Sequence, residues 1–455
     1  MHRPVRRPHS GRHLTLGRSG KDSRARRTRL HRPSPSIPQP EERKDDVTTW
    51  EENIQQARTV ALEILQPSAS QLEHGLALHR DAIVCESYSL GVIAPIDGEA
   101  MAQAVEARAS EVELQYLSEQ MRMTRWAYDA ELKAEYLGAW EASGVTCAFQ
   151  NAGEEGNNPM RMLGRLAHYT HLTDRMRDHV ARAAFPDDIV AAKAAGRHCI
   201  YQTCNGVPLP GEQATVEQEL RFISQFFELG CRMMHLTYNR RNPIGDGCAE
   251  PANAGLSDFG RAVIAEMNKV GVIADVAHSG WQTCLDAAEV SQKPIVASHS
   301  ACAALNHHHR CKPDEVMRAI ADKGGTVGIT NVPAFVGGSG CIDAMLDHID
   351  HAVQVVGIDH VTIGTDRPYI SCRAQEESAK VPARPGSRPR WEALWEVNDP
   401  VQRSEWRQER MFQSTAWTNF PLFTVGMVQR GYADDDIRKI LGGNILRVAR
   451  EVLGE

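Results

Sequence analysis

Eight short apolar runs, set between segments of helical pattern, constrain this chain more than any other feature of its sequence. The runs are residues 82–85, 145–149, 199–203, 231–237, 272–277, 294–298, 326–330 and 361–364. Each is largely apolar on both faces, as parallel strands sandwiched between two layers must be. Between them, Leu220, Ile223, Phe226 and Phe227 recur at helical spacing within 216–229. Ser257 caps a helix over 258–270, and Pro313 opens another over 314–323. Eight strands alternating with helices predict a (β/α)8 barrel, the TIM-barrel architecture. The length agrees, since such a barrel takes about 250 residues and insertions carry it past 400; this chain has 455.

Two insertions are expected in that frame. Residues 97–141 read as a long, charged helical stretch between the first and second strands. Residues 367–418 follow the eighth strand and hold Trp391, Trp395, Trp406 and Trp417, half of the chain's eight tryptophans. A barrel's active site lies at the C-terminal ends of its strands, so this segment reads either as a lid or as filling against the barrel wall. Segment 433–453 is helix-forming and closes the barrel. Residues 46–455 thus read as a single barrel domain.

Residues 1–45 read instead as a disordered basic tail. Before residue 41, ten arginines and Lys21 face Asp22 alone, a local charge of +10, and Pro4, Pro8, Pro33, Pro35, Pro38 and Pro40 oppose a helix. With a net charge of −7, the remainder carries −7 − 10 = −17. An acidic body argues against nucleic acid as the main partner. No run approaches the roughly 18 apolar residues of a membrane helix. The eleven cysteines include no Cys-x-x-Cys pair, a pattern that fits reduced thiols in a cytoplasm.

The strand ends carry the chemistry. After strand five stands Asp275-Val-Ala-His278, after strand six Ser298-His299-Ser300, and after strand eight Gly364-Thr-Asp366. Two imidazoles and a carboxylate projecting into one mouth form a zinc-ligand set, and three protein ligands leave a fourth position open for water.

The stretch from Phe227 to Gly328 resembles the renal (membrane) dipeptidase family of zinc metallopeptidases, within the amidohydrolase-like barrels. The matching segments are Leu229-Gly-Cys-Arg-Met-Met-His-Leu-Thr-Tyr-Asn239, Gly255-Leu-Ser-Asp-Phe-Gly-Arg261, Ile273-Ala-Asp-Val-Ala-His278 and Pro294-Ile-Val-Ala-Ser-His-Ser300. The likeness continues through Gly364-Thr-Asp366 and Gly442-Gly-Asn-Ile-Leu-Arg-Val448. It implies a metal-dependent hydrolase of dipeptides and a homodimer. It implies zinc ligands at His278 and His299, a proton-handling Asp366, and Arg310 as the holder of the substrate's carboxylate, a role suited to a planar guanidinium.

Departures from the family pattern matter as much. The first-strand histidine and aspartate positions fall on Ser87 and Ser89, the bridging glutamate position on Cys204 or Asn205, and a further histidine position on Tyr238. Hydroxyls and amides bind zinc far more weakly than imidazole and carboxylate. Half of a two-metal site is therefore missing, and one zinc per chain is expected. Asp366 or Cys204 completes the shell; if Cys204 does, Asp366 is free as base. Tyr238 or Asn331 polarises the substrate carbonyl. Glu86 is turned from the mouth by strand alternation. The expected activity is dipeptide hydrolysis with a reduced metal site. Alternatives are hydrolysis of another small amide or lactone, or a non-catalytic descendant that binds a carboxylate.

Overall fold

The computed structural model describes residues 49–153, 155–213, 215–384, 394–396 and 398–454. The basic segment 1–45 and Trp391 lie outside the described residues. Eight parallel strands form the barrel: β1 (Cys85–Ser89), β2 (Cys147–Asn151), β3 (His198–Cys204), β4 (Met233–His235), β5 (Ile273–Asp275), β6 (Ile295–Ser300), β7 (Thr326–Ile329) and β8 (Val361–Ile363). They are hydrogen-bonded in that order from β1 to β8. The expected (β/α)8 barrel is the observed fold. Helices Val216–Glu228, Asp258–Val270 and Asp314–Asp322 stand where periodicity and caps put them. Among the described residues, no helix is long and apolar enough to cross a membrane.

Within the barrel sheet, one strand was not expected. Val180–Ala183 pairs with the first half of β3, outside the barrel order, while β4 pairs with the end of β3. It is four residues long and carries Arg182, so no apolar run announces it. Residues 97–141, expected as one stretch, break into helices Gly98–Glu106 and Glu111–Thr124 before Ala130–Ser143 begins. Asp97, Ser110 and Asp129 cap the three N-termini.

Alternation along the strands builds two cores. Val84, Ala148, Ile200, Cys204 and Val276 point outward into the layer beneath the helices. Cys85, Cys147, Phe149, Cys199, Tyr201 and Met233 point inward and fill the lower barrel. Helix Asn444–Leu453 plugs that end with Ile445, Val448 and Val452. A π-type turn over Lys439–Gly443 leads into it. Gly442 there lies so close to β1 that a Cβ would sit 2.3 Å from the Ile83 carbonyl oxygen.

Side chains bridge the seam between β8 and β1. Thr362 Oγ1 donates to Ser87 Oγ at 3.1 Å, and Ser87 Oγ donates to the Ser298 carbonyl at 2.8 Å. Behind β1, the fully buried Glu86 accepts from Trp417 Nε1 at 2.8 Å, from the Thr365 backbone N–H at 3.2 Å and from the Thr365 hydroxyl. This carboxylate ties the β8 end to Trp417, so Trp417 belongs to the core.

Burial pushes the Glu86 carboxyl up from 4.5 to about 7, against the pull of its hydrogen bonds. The folded state therefore holds a proton that the unfolded chain has released between those values. Its contribution to stability is greatest below the lower value and is lost as pH rises through the upper one. That gap corresponds to about 3 kcal/mol. Urea unfolding at about pH 5 and about pH 8 should show wild type losing stability relative to Glu86→Gln. A difference between the two proteins that does not move with pH would overturn the assignment.

Candidate metal centre and cavity

Three strand ends bring imidazoles together. β4 ends at His235, the turn after β5 presents His278, and His299 lies in β6. The register of β6 against β7 shifts between Ala297 and Ser300, and such an irregularity re-aims side chains. The ligand nitrogens of His235, His278 and His299 all lie within 4.8 Å of one another, and all three residues are buried. His278 Nε2 and His299 Nε2 are 3.0 Å apart. Two donors about 2.1 Å from a shared ion, at angles between square and tetrahedral, are separated by roughly 3.0–3.4 Å.

The groups behind the rings fix two tautomers. His235 Nδ1 donates to the Cys204 carbonyl at 2.9 Å, and His278 Nδ1 donates to Asn239 Oδ1 at 2.7 Å. Both Nε2 atoms are thereby left unprotonated, the state that metal-binding histidines take from their outer partners. His299 Nδ1 lies 2.8 Å from Ser298 Oγ. Burial, then the Arg310 guanidinium, holds His278 and His299 well below the usual imidazole range. Burial also lowers His235, with Asp275 opposing. Neutral imidazoles are what a metal requires.

His235 Nε2 faces Asp275 Oδ2 at 3.0 Å, and neither atom has a hydrogen-bond partner. The three converging imidazole nitrogens fit a divalent metal. His235 is the residue that sequence reasoning missed. Its signal was the same one that singled out His278 and His299: a histidine at the C-terminal end of a barrel strand.

Tyrosines roof the cluster. Tyr88 stacks on His299 with centroids 3.6 Å apart, and Tyr238 stacks on His278 at 3.9 Å. Tyr88 donates to Asn205 Oδ1 at 2.8 Å. Burial pushes both phenols up, so they remain protonated donors. Above lies a cavity of about 460 Å³ lined by His278, Tyr88, Tyr238, Asp366 and Arg367, with aromatic walls from Phe335, Trp395, Trp406 and Phe412. Trp395 and Trp406 thus border the mouth. Asp366 has a φ of 58°, uncommon for a residue with a side chain. Burial pushes its carboxyl up to about 6, with Arg310 and Arg367 opposing.

Other expected residues stand elsewhere. The Cys204 thiol points into the outer apolar layer, donates to the Gly206 carbonyl at 2.9 Å and meets the Cys231 sulfur at 3.5 Å. It shares the outward face of β3 with Ile200, so alternation removes it from the histidines. Only its backbone serves the cluster. Asn331 is fully buried and donates to the Thr415 carbonyl at 3.0 Å, so its amide braces the wall and does not line the cavity. Ser87 is spent on the barrel seam, and Ser89 Oγ accepts the Gly91 N–H at 2.9 Å.

Arg310 is no surface arginine: it is 1% exposed. Its Nη1 donates to the Ala277 carbonyl at 2.6 Å, and its Nη2 to the His299 carbonyl at 3.1 Å and His278 Nε2 at 3.2 Å. It packs beside the cluster but does not line the cavity.

The neighbouring histidine tract makes a second grouping. His308 and His309 both reach Asp399, at 3.3 and 3.4 Å. His308 Nδ1, however, accepts the Arg310 backbone N–H at 3.0 Å. Its proton is therefore on Nε2, which donates to Asp399 and has no lone pair for a metal. This grouping pins the insertion to the barrel.

The family model of the membrane dipeptidases (Peptidase family M19) matches residues 102–382. Dipeptidase tcpJ of Claviceps purpurea is 26% identical over 280 residues, covering 60% of this chain and 56% of that protein. The chain spans about half the length of the curated relatives it matches. An amidohydrolase from Pseudomonas aeruginosa shares the fold with a TM-score of 0.59 at 24% identity, over 84% of this chain and 99% of that one. A metallo peptidase from Rhodobacter sphaeroides, liganded with a phosphinate mimic of the dipeptide L-Ala-D-Ala, has a TM-score of 0.55 at 16% identity, over 82% and 100%.

Proposed function

Because the chain belongs to the membrane dipeptidase family (Peptidase family M19), we propose that it is a zinc-dependent dipeptidase working with one metal ion per chain. In this reading His235, His278 and His299 hold the ion, and Asp366 stays free to accept a proton. One observation carries it: three imidazole nitrogens converge within 4.8 Å at one end of the barrel. They do so beneath a cavity of about 460 Å³, within the span of small-molecule sites.

A bound zinc ion supplies Lewis acidity, polarising a carbonyl oxygen and activating water near neutral pH. The chain's own residues do the rest. Asp366, ionised above about 6, takes the proton of the attacking water and returns it to the leaving amine. Tyr238 lines the cavity as a protonated phenol and donates to the developing oxyanion. The aromatic walls exclude water around the scissile bond. A single ion is supported by Ser87 and Ser89, whose hydroxyls are occupied away from the cluster. The free cysteines support a reducing, cytoplasmic setting. The homodimer rests on the family resemblance.

The contact between Arg310 and His278 favours one other reading. The guanidinium donates to the lone pair a metal would use, as a metal-free carboxylate binder would allow. Elemental analysis of purified protein separates the two. About one zinc per chain is expected; two would demand a second ligand set, and none after purification with added zinc would favour the binder.

A further inference from the structure

We propose that the carboxylate of the ligand is held by Arg367 and not by Arg310. The inference rests on the hydrolase reading for its kinetics but not for its binding test. Arg310 has its terminal nitrogens committed to the Ala277 and His299 carbonyls, and it does not line the cavity. Freeing them would strip buried carbonyls of their donors, which is costly.

Arg367 is in the opposite condition. It lines the cavity, and its guanidinium carbon lies 4.2 Å from the centre of the Phe412 ring. Among the described residues its guanidinium donates no hydrogen bond, and the Asp366 carboxylate meets it through space only. Burial brings it down to about 10, so it is still a cation at neutral pH. Donors left idle on a cation at a cavity wall are the ones an incoming anion can take. The ring beneath fixes the fork, whose planar donors match a carboxylate in two parallel bonds.

Position in the chain gives this anchor its meaning. Arg367 directly follows Asp366 and both line the same cavity, so a ligand gripped by its carboxylate at Arg367 lies beside the proton acceptor. A cavity of about 460 Å³ takes a short chain ending in a free carboxylate. Phe335, Trp395, Trp406 and Phe412 add walls suited to an apolar or aromatic side chain next to it. The site therefore takes small carboxylates with an apolar flank.

The probes are 3-phenylpropionate and its amide, titrated into the full-length zinc-loaded protein and followed by tryptophan fluorescence, since Trp395 and Trp406 border the cavity. The carboxylate should bind about 10- to 100-fold more tightly than the amide, the range of one or two charge-assisted bonds. Arg367→Met, which keeps a stem on Phe412, should erase that preference, and Arg367→Lys should restore only part of it. The exposed Arg407, also on the cavity rim, should be replaceable by Met with little change. Undiminished preference in Arg367→Met, loss in Arg407→Met alone, or no carboxylate binding by wild type would each overturn the proposal. Glycyl-phenylalanine and its C-terminal amide then give the kinetic counterpart. If neither is hydrolysed while the binding preference follows Arg367, the hydrolase reading fails and the anchor stands.

Discussion

Replacing His235 by glutamine is expected to lower zinc affinity about 1,000-fold or more and to abolish hydrolysis. Loss of a partner behind a ligand already costs about 10- to 100-fold in metal affinity, and loss of a ligand costs more. His235 supplies one of the three imidazoles within 4.8 Å, and the Cys204 carbonyl leaves its Nε2 unprotonated. Glutamine is the informative replacement because it fills space and can still accept the proton of a neighbour. A smaller residue would mix ligand loss with a cavity in the barrel. Competition with a chelator gives the affinity, and cobalt substitution gives the coordination number from its visible spectrum. A glutamine variant that holds zinc as wild type does would return His235 to the core as a packing residue.

The barrel was legible because parallel strands covered on both sides need apolar residues on both faces, and eight such runs are hard to produce otherwise. The first strand shows the limit. Residues 82–85 are the apolar run, yet the strand is Cys85–Ser89, whose Cys-Glu-Ser-Tyr-Ser reads as polar. Its polar groups are satisfied by partners distant in the chain, Trp417 and Thr365 for Glu86 and Ser298 for Ser87. Strand-end logic found His278 and His299. It passed over His235 because the family resemblance directs attention three residues on, to Tyr238. The alternation that turns Glu86 away from the mouth also turns Cys204 outward, and the two differ only in which strand was read that way.

The burial of Arg310 was illegible for another reason. Beside His307, His308 and His309 it has the composition of a solvated loop. It is held by backbone carbonyls from the turn after β5 and from β6, and no side-chain pattern records those. The tryptophans were ambiguous for the same cause. One segment sends Trp417 into the core and Trp395 and Trp406 to the cavity, and composition is blind to that division.

Asp366→Asn is expected to lower kcat by about 100- to 10,000-fold, the range of a general base or acid, while leaving zinc content unchanged. Asparagine matches the carboxylate in size and tolerates the left-handed φ of 58° that this position demands, so the backbone should not rearrange. In wild type, burial raises the carboxyl from 3.8 to about 6, and the nearby Arg310 and Arg367 pull it back down. The base form is present above that value, so kcat/KM should fall as pH drops through about 6. A cation in the histidine cluster stabilises the carboxylate further and moves this limb to lower pH, never higher. The asparagine variant has no group to protonate there and should lose the limb along with the rate. The pairing of the two results is what assigns the role. A variant that loses zinc together with activity would make Asp366 a ligand. One that keeps a wild-type rate and acid limb would move the proton acceptor to another group on the cavity wall, with Glu155 first to be tried.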